Sequence, residues 1–320
     1  MEFCVEDCRA LLEKQVLTVE NSRIRRRFAV RPEGLLPLEV RDLRSGQAYR
    51  SEKELPVIPS GFGSDEAPEL RLEGGPSGKG FAAALSYTDG DCSAVFRFFL
   101  APKLPFCSLE RTFLGDWTFP EEDSDAGQAP NGIETAGPAA VAEDVLDAVA
   151  LPGSHWDLET VRLYDQTDYH DTLARTFREP VYSNGPIRER GNLFLFTARL
   201  TGRGLLLVKE STTCLNVLNQ YPTDLAVSGG TARLLGSGLP EGGGGRDLRS
   251  FGSTVGVGDS GRILSEYKRF YMAQWTFSPE TSFTMSNTWG DRHQDLAVCD
   301  SFIHKEIDTA AALGLDVVQI

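Results

Sequence analysis

The sequence lacks any apolar segment long enough to form a membrane helix. No stretch approaches the roughly 20 consecutive apolar residues that a bilayer-spanning helix needs. Residues 1–8 carry acidic side chains early and have no apolar core of the length found in secretion signals. We therefore expect a cytoplasmic location, with no membrane among the partners.

The sequence also lacks an excess of basic residues, since 32 Lys and Arg stand against 46 Asp and Glu and the formal net charge is −14. Nucleic acids and anionic membranes bind proteins through clustered Lys and Arg that displace counterions. We therefore exclude both as the main partner. The basic run at residues 23–27 leads into strand-like sequence, and we interpret it as a solvated strand face.

Cysteine and histidine are scarce. The six cysteines show none of the spacings of zinc ribbons or disulfide frameworks, so we expect buried free thiols. His293 lies between Asp291 and Asp295, but no second cluster of metal ligands stands nearby in the sequence. We find no Gly-x-Gly-x-x-Gly motif that opens a β-α-β unit, which argues against a nicotinamide cofactor. The sequence therefore predicts no metal and no cofactor.

The composition is that of a folded globular protein, with 41% hydrophobic and 24% charged residues. At 320 residues the chain exceeds one average domain, so we expect two units. Short β-like runs follow one another from about residue 16 to residue 257, separated by turn-forming residues. Clear examples are residues 16–20, 35–43, 94–100, 193–200 and 205–210.

Many short strands without an amphipathic helix between them predict a mainly β fold, a large antiparallel β-sandwich over residues 1–258. This length is roughly twice that of an ordinary seven-stranded sandwich. Two segments interrupt the pattern, the Gly-, Pro- and Ala-rich residues 121–142 and the glycine run at residues 242–245. We interpret both as flexible surface connectors, although a long loop of this kind could also reach a binding site in a neighbouring domain or subunit.

A helical period replaces the β pattern between residues 260 and 275. Ile263, Tyr267 and Phe270 recur at helical spacing, and Ser260 is available as a cap. Pro279 prevents the helix from continuing. We predict a linker helix within residues 259–278.

The last segment, residues 279–320, has the pattern of one strand-helix-strand unit. The first strand alternates over residues 283–288, and Asp300 or Ser301 can cap a helix that Gly314 ends. A short, nearly continuous apolar run follows, as in a strand buried on both faces of a parallel sheet. Since a two-stranded parallel sheet cannot cover itself, we expect further chain to follow.

Several motifs in this chain resemble those of bacterial α-galactosidases of glycoside hydrolase family 36. The resemblance is most specific for Met-Ser-Asn-Thr-Trp-Gly-Asp-Arg at residues 285–292 and Gly-Leu-Asp-Val-Val-Gln-Ile at residues 314–320. Residues 163–171 and 190–194 resemble segments of the family's amino-terminal β-supersandwich. At residues 290–291 this chain has Gly-Asp where many members have Glu-Ala.

The resemblance implies that residues 279–320 begin a (β/α)8 barrel, of which the rest is not included. It further implies hydrolysis of terminal α-galactosyl groups in oligosaccharides with retention of configuration. In the family the catalytic aspartates end the fourth and sixth barrel strands, and an aspartate pair after the second strand binds sugar hydroxyls. None of these is present, so we assign no catalytic residue and expect residues 1–320 alone to be inert. Homo-oligomers, often tetramers, are implied by analogy.

The resemblance leaves three candidate substrate-binding residues at the end of the first barrel strand: Asn287, Trp289 and Asp291. Active sites of such barrels lie at the carboxyl ends of the strands, and an indole can stack on a sugar ring. In the alternative interpretation, Trp289 fills the barrel mouth, Asp291 caps a turn and Asn287 is a core amide. Asp316 is at the amino end of its strand, where we expect a role in stability.

Other functions stay open at this point. The sandwich could be a carbohydrate-binding or assembly module without chemistry, and Trp117, Trp156 and Tyr221 lie in or near predicted loops where they could stack on sugars. A related barrel could instead transfer galactosyl groups or act on N-acetylated galactose, as an α-N-acetylgalactosaminidase does.

Overall fold

The computed structural model forms two compact units, Met1–Gln274 and Trp275–Ile320. The residues that the structure describes are 1–32, 34–50, 67–75, 80–118, 145–153, 155–163, 174–181, 186–211, 223–239, 244–274, 283–287 and 299–319. The predicted connector at residues 121–142 lies outside them.

Strands dominate the described part of the chain. The first ten are β1 (Glu2–Val5), β2 (Cys8–Glu13), β3 (Val16–Glu20), β4 (Ile24–Arg31), β5 (Gly34–Asp42), β6 (Ala48–Arg50), β7 (Glu69–Gly74), β8 (Phe81–Asp89), β9 (Cys92–Leu100) and β10 (Phe106–Thr118). The next ten are β11 (Val145–Ala150), β12 (Trp156–Leu163), β13 (Ala174–Val181), β14 (Ile187–Glu189), β15 (Leu193–Ala198), β16 (Arg203–Glu210), β17 (Leu225–Ser228), β18 (Thr231–Leu235), β19 (Gly244–Arg249) and β20 (Gly252–Asp259). Helix α1 (Ile263–Gln274) completes the first unit, and the second contains β21 (Met285–Asn287), α2 (Asp300–Leu313) and β22 (Val317–Gln319).

In the described residues, three antiparallel sheets build the first unit. The six-stranded sheet has the order β1-β2-β3-β4-β5-β6, and the four-stranded sheet has the order β11-β18-β17-β14. The ten-stranded sheet has the order β13-β12-β15-β16-β20-β10-β9-β8-β7, with β19 also paired to β10. The mainly β, antiparallel fold predicted from the sequence is confirmed, and the five strands given as examples agree with the structure to within two residues at each end.

Buried apolar side chains from all three sheets form one core. Phe28 of β4 and Phe98 of β9 meet with ring centroids 5.1 Å apart, and Tyr49 of β6 meets Trp156 of β12 at 6.0 Å. Both pairs join the six-stranded sheet to the ten-stranded sheet. The sandwich is therefore held together by aromatic contacts between strands that are far apart in sequence.

The basic run at residues 23–27 is not a solvated face throughout, contrary to our interpretation. Strand β4 alternates between buried and partly exposed side chains, and Arg26 falls on the buried side with Ile24 and Phe28. Its guanidinium is 1% exposed and pairs with Asp147. The period of two that buries Phe28 therefore also buries Arg26, and a partner 121 residues away makes this possible.

In the glycine run at residues 242–245, Gly244 and Gly245 differ from the prediction, because they begin strand β19 and pair with β10. Residues 242 and 243 lie outside the described residues. The expectation of buried free thiols is right for Cys8 and Cys107. It is wrong for Cys4 and Cys299, which are exposed, and for Cys92, which is partly exposed. Cys214 lies outside the described residues.

Helix α1 packs on the outer face of the ten-stranded sheet. Ile263 and Phe270 are fully buried there, and the Phe270 ring lies 5.4 Å from Phe99 and 5.3 Å from Phe106 between ring centroids. Tyr267 adds a third ring contact, 5.6 Å from Phe106. The predicted linker helix is thus part of the first compact unit, which includes residues up to Gln274.

The second unit is a strand-helix-strand unit. Strands β21 and β22 are parallel, with Met285 opposite Val317 and Asn287 opposite Gln319. Gly314 ends α2 in the left-handed conformation, with φ of 71°, as the sequence predicts. The N-cap is Cys299 and not Asp300 or Ser301, because α2 already begins at Asp300.

Of the helices in the described part of the chain, neither α1 nor α2 is long and apolar enough to cross a bilayer.

Candidate functional site

The structure places one of the three predicted substrate-binding residues. Asn287 is the last residue of β21, and its side chain is exposed. It therefore lies at the carboxyl end of a parallel strand, the end at which barrel enzymes bind their substrates. Trp289 and Asp291 lie outside the described residues, so their roles stay predictions.

Asp316 marks the opposite end of this parallel pair. Its carboxylate oxygen Oδ2 accepts hydrogen bonds from the Thr284 backbone N–H at 2.7 Å and from the Thr284 hydroxyl at 2.9 Å. The backbone N–H donor, followed by the hydroxyl, lowers the pKa of Asp316. Asp316 thus fastens the amino end of β21 to the start of β22, which agrees with the structural role expected for it.

The aromatic residues considered for sugar stacking do not form a platform in the described part of the chain. Trp156 is 5% exposed, and its indole Nε1–H donates a hydrogen bond to the Pro152 carbonyl at 3.0 Å. It belongs to the core and cannot stack on a ligand from solvent. The side chain of Trp117 and all of Tyr221 lie outside what the structure describes.

A groove that we did not predict crosses the outer face of the ten-stranded sheet at strands β7, β8, β9 and β10. We call it the outer groove. Its volume is about 350 Å³, and its polar lining includes Glu69, Arg71, Glu73, Ser86, Ser93 and Arg97. Strand β7 puts charged residues at every second position from residue 69 to residue 73, and this alternation was the signal available in the sequence.

Ion pairs order the charged side chains of the outer groove. Arg71 donates to Glu69 at 2.6 Å. Arg97 donates through Nε to Glu73 at 3.0 Å and through Nη1 to the Thr112 hydroxyl at 2.9 Å. The hydrogen bond from Arg71 lowers the pKa of Glu69, so this carboxylate is ionised at neutral pH.

A partly buried carboxyl group, that of Glu210, lies beside α1 on the same sheet. Glu210 accepts a hydrogen bond from the Thr254 hydroxyl at 2.5 Å. Burial raises the pKa of Glu210, and the negative charge of Glu110 raises it further, whereas Thr254 and Arg249 lower it. Burial raises the pKa of the Tyr267 phenol on α1, and the nearby charge of Glu210 contributes to the increase.

The residues that the structure describes offer no metal or dinucleotide site. They contain no group of three His, Cys, Asp or Glu side chains that could hold a metal ion. The sequence Gly-Val-Gly-Asp-Ser-Gly at residues 256–261 does have dinucleotide-motif spacing, but it ends β20, which is antiparallel to both neighbours. It therefore does not open the parallel β-α-β unit that binds a dinucleotide.

Comparison with known proteins gives matches among solved structures. A scan against protein-family models found no match, and a search of curated proteins found none either. The galactosidase domain of an α-galactosidase-sucrose kinase, AgaSK, matches at 12% identity with a TM-score of 0.51, covering 97% of this chain and 50% of that one. The α-galactosidase from Lactobacillus brevis matches at 10% identity and a TM-score of 0.49, covering 95% and 48%. The family 36 α-galactosidase AgaA from Geobacillus stearothermophilus matches at 10% identity and 0.47, covering 95% and 49%.

The fold defines a mainly β protein in which a large antiparallel sandwich carries an outer helix and precedes a parallel strand-helix-strand unit. The chain has the fold of about half of the galactosidase domain of AgaSK, and it spans about half the length of each of these three structures. The resemblance predicted from the sequence is thus confirmed at the level of the fold. The (β/α)8 barrel stays a prediction.

Proposed function

We propose that this chain is the amino-terminal part of a retaining α-galactosidase that removes terminal α-galactosyl groups from oligosaccharides. The observation that carries the proposal is the fold match to a galactosidase domain, which extends over 97% of this chain. The sequence resemblance at residues 285–292 and 314–320 supports the same assignment, since both motifs fall in the strand-helix-strand unit.

Retention of configuration requires two carboxyl groups about 5 Å apart, one as the nucleophile and one as the acid that protonates the leaving oxygen. By the family resemblance, these are aspartates at the ends of the fourth and sixth barrel strands. By the same resemblance, residues 279–320 correspond to the first two strands. A polypeptide of residues 1–320 should therefore bind at most part of a sugar and should not hydrolyse it.

In the proposed enzyme, Asn287, Trp289 and Asp291 contact the galactosyl group at the end of the first strand. The exposed position of Asn287 at the carboxyl end of β21 supports this role. The second unit also exposes large apolar side chains on β21, α2 and β22 and just before β21, which supports the proposal of a larger barrel: Phe283, Met285, Ile307, Leu313 and Val317. A cytoplasmic location and a homo-oligomeric state remain predictions.

An activity assay with a matched pair of polypeptides tests the proposal. Purified residues 1–320 and the product of the whole reading frame that contains them would each be incubated with 4-nitrophenyl α-galactoside. We expect hydrolysis by the longer product and no turnover above background by residues 1–320. Turnover by residues 1–320 that scales with protein concentration would overturn the assignment of the catalytic aspartates to other strands.

Assays of the same two polypeptides distinguish two related activities, galactosyl transfer and hydrolysis of N-acetylated galactosides. A galactosyltransferase would release nitrophenol faster when an acceptor sugar is added, and an α-N-acetylgalactosaminidase would prefer the N-acetylated aryl substrate. A sandwich that only binds carbohydrate would show neither reaction. The polar outer groove is the observation that favours carbohydrate binding by the sandwich.

A further inference from the structure

The outer groove is built by side chains that line up across four adjacent strands. The register places Glu69, Ser86, Val95 and Thr112 in one row across β7, β8, β9 and β10. In the next row, Ala84 lies between the long arginine side chains of β7 and β9. The small side chains on β8, of which Ser86 lines the groove, therefore leave a depression between the longer side chains of β7 and β9.

Among the residues that the structure describes, the charges that line the outer groove balance. They are two arginines, Arg71 and Arg97, and two glutamates, Glu69 and Glu73, and each arginine is bonded to one of the glutamates. An anionic ligand would meet the glutamates and a cationic ligand the arginines, so neither gains from an excess of opposite charge. A neutral ligand is repelled by neither the glutamates nor the arginines.

The polar groups of the outer groove suit a ligand with many hydroxyl groups. Carboxylates accept hydrogen bonds and guanidinium groups donate them, and Ser86 and Ser93 can do both. Arg97 is 37% exposed and Glu73 is 38% exposed, so solvent-side hydrogen-bonding positions remain on both. Val95 and Leu114 add a small apolar surface that can contact the C–H face of a sugar ring.

The volume agrees with the same ligand class. Pockets for small ligands span about 300–1,000 Å³, and the outer groove, at about 350 Å³, lies at the small end of this range. We propose that the outer groove is a binding site for a neutral oligosaccharide, of which it holds one or two sugar units through Arg97, Arg71 and the glutamates paired with them. This proposal rests on the groove alone and not on the proposed hydrolysis.

A calorimetric titration of residues 1–320 with neutral trisaccharides tests the proposal. The probes would be raffinose, maltotriose, cellotriose and xylotriose, and we expect saturable binding of at least one. Arg97→Ala should weaken that binding about tenfold or more, because hydrogen bonds to a charged group are lost. Arg97→Lys should weaken it as well, because Lys keeps the charge and loses the planar fork. If none of the four sugars binds saturably, the proposal is overturned.

The matched control is Arg178→Ala. Arg178 is also an exposed arginine of the ten-stranded sheet, paired with Glu159 at 2.6 Å, but it lies on β13 at the opposite edge of the sheet. Its replacement should leave the affinity unchanged. The proposal would be contradicted if Arg97→Ala and Arg178→Ala weakened sugar binding equally. It would also be contradicted if Arg97→Ala left the affinity of the folded protein unchanged. Tighter binding of galacturonate or inorganic phosphate than of the trisaccharides would do so too.

The outcome is separable from that of the proposed function. Hydrolysis by the longer product could occur without any sugar in the outer groove, and sugar could bind there in a protein without hydrolysis. An Asn287→Ala variant of residues 1–320 completes the test, since a loss of sugar binding in this variant would assign the binding to the second unit and overturn the groove proposal.

Discussion

Arg26 and Asp147 form a buried ion pair with two hydrogen bonds, from Nη2 to Oδ1 at 2.7 Å and from Nη1 to Oδ2 at 3.0 Å. Ser253 donates a third bond to Oδ2 of the same carboxylate at 2.9 Å. The three residues belong to β4, β11 and β20, so one carboxylate connects all three sheets of the sandwich. Burial opposes the charge on Arg26, but Asp147 outweighs it and raises the pKa of the guanidinium.

We predict that breaking this pair destabilises the first unit strongly. Arg26→Met leaves the Asp147 charge buried without its cation and should lower the free energy of unfolding by about 3–5 kcal/mol. Urea denaturation of the variant and the parent measures the difference. As a control, Arg178→Met removes an exposed partner of Glu159 and should cost no more than about 1 kcal/mol.

The double variant Arg26→Met with Asp147→Asn tests whether the cost comes from the unpaired charge. The asparagine can still accept the bond from Ser253, but it carries no charge. We therefore expect the double variant to lose less free energy than the sum of the two single variants. Strict additivity would show that the two side chains do not stabilise each other.

We predict that Gly256→Ala loosens helix α1. A methyl group at residue 256 would approach the Phe106 ring to 2.1 Å, and Phe106 is the ring on which Phe270 and Tyr267 pack. The displaced ring should cost about 1–3 kcal/mol and should speed amide hydrogen exchange in α1. Gly74→Ala is the control, since a methyl group there meets nothing within 4 Å. Unchanged exchange in α1 would contradict the packing role assigned to Phe106.

We predict that Glu210→Gln stabilises the first unit more at pH 8 than at pH 4. Burial raises the pKa of Glu210, so the folded protein holds a proton that the unfolded chain releases above its ordinary glutamate pKa of about 4.3. Stability contributed by this group is therefore present at low pH and lost as the pH rises through the unfolded and then the folded pKa. Glutamine does not titrate, so the variant does not lose this stability as the pH rises.

Urea midpoints of the parent and of Glu210→Gln at both pH values provide the measurement. Glu69→Gln is the control, and its change in stability between pH 4 and pH 8 should have the opposite sign. Arg71 lowers the pKa of Glu69, so folding stabilises the ionised form, and the substitution should cost more stability at pH 8 than at pH 4. A gain for Glu210→Gln that is equal at the two pH values would contradict the raised pKa.

We predict that the Thr284 amide reports the titration of Asp316. The Thr284 N–H donates to the Asp316 carboxylate, so its NMR chemical shift should change when that carboxylate is protonated. Because the pKa of Asp316 is lowered, the midpoint should fall below the ordinary aspartate value of about 3.9. Asp316→Asn should abolish the transition. A midpoint at or above the ordinary value would rule out the assigned hydrogen bonds.

The sequence predicts those parts of the fold that depend on local periodicity. Strand β3 and helix α1 are recognisable because their apolar residues repeat at the periods of a strand and a helix. The left-handed stop at Gly314 follows from the conformational freedom of glycine. The start of α2 was missed by one position, since several residues in this stretch could serve as caps.

Features that need distant partners could not be predicted. Arg26 belongs to a basic run that resembles a solvated face, and only the position of Asp147 shows that its side chain is buried. Trp156 follows a turn in the sequence, yet it packs against Tyr49 in the core. The outer groove combines residues from four strands between residues 67 and 114, so no local pattern shows that they share one depression.

The stereochemistry of galactose release tests the central claim most directly. The protein expressed from the whole reading frame that contains residues 1–320 would be mixed with 4-nitrophenyl α-galactoside. Proton NMR would then follow the anomeric signal of the released galactose as it forms. We predict that α-galactose appears first and then mutarotates, with no release by residues 1–320 alone. Initial release of β-galactose, or no release by the longer product, would contradict the assignment to a retaining α-galactosidase.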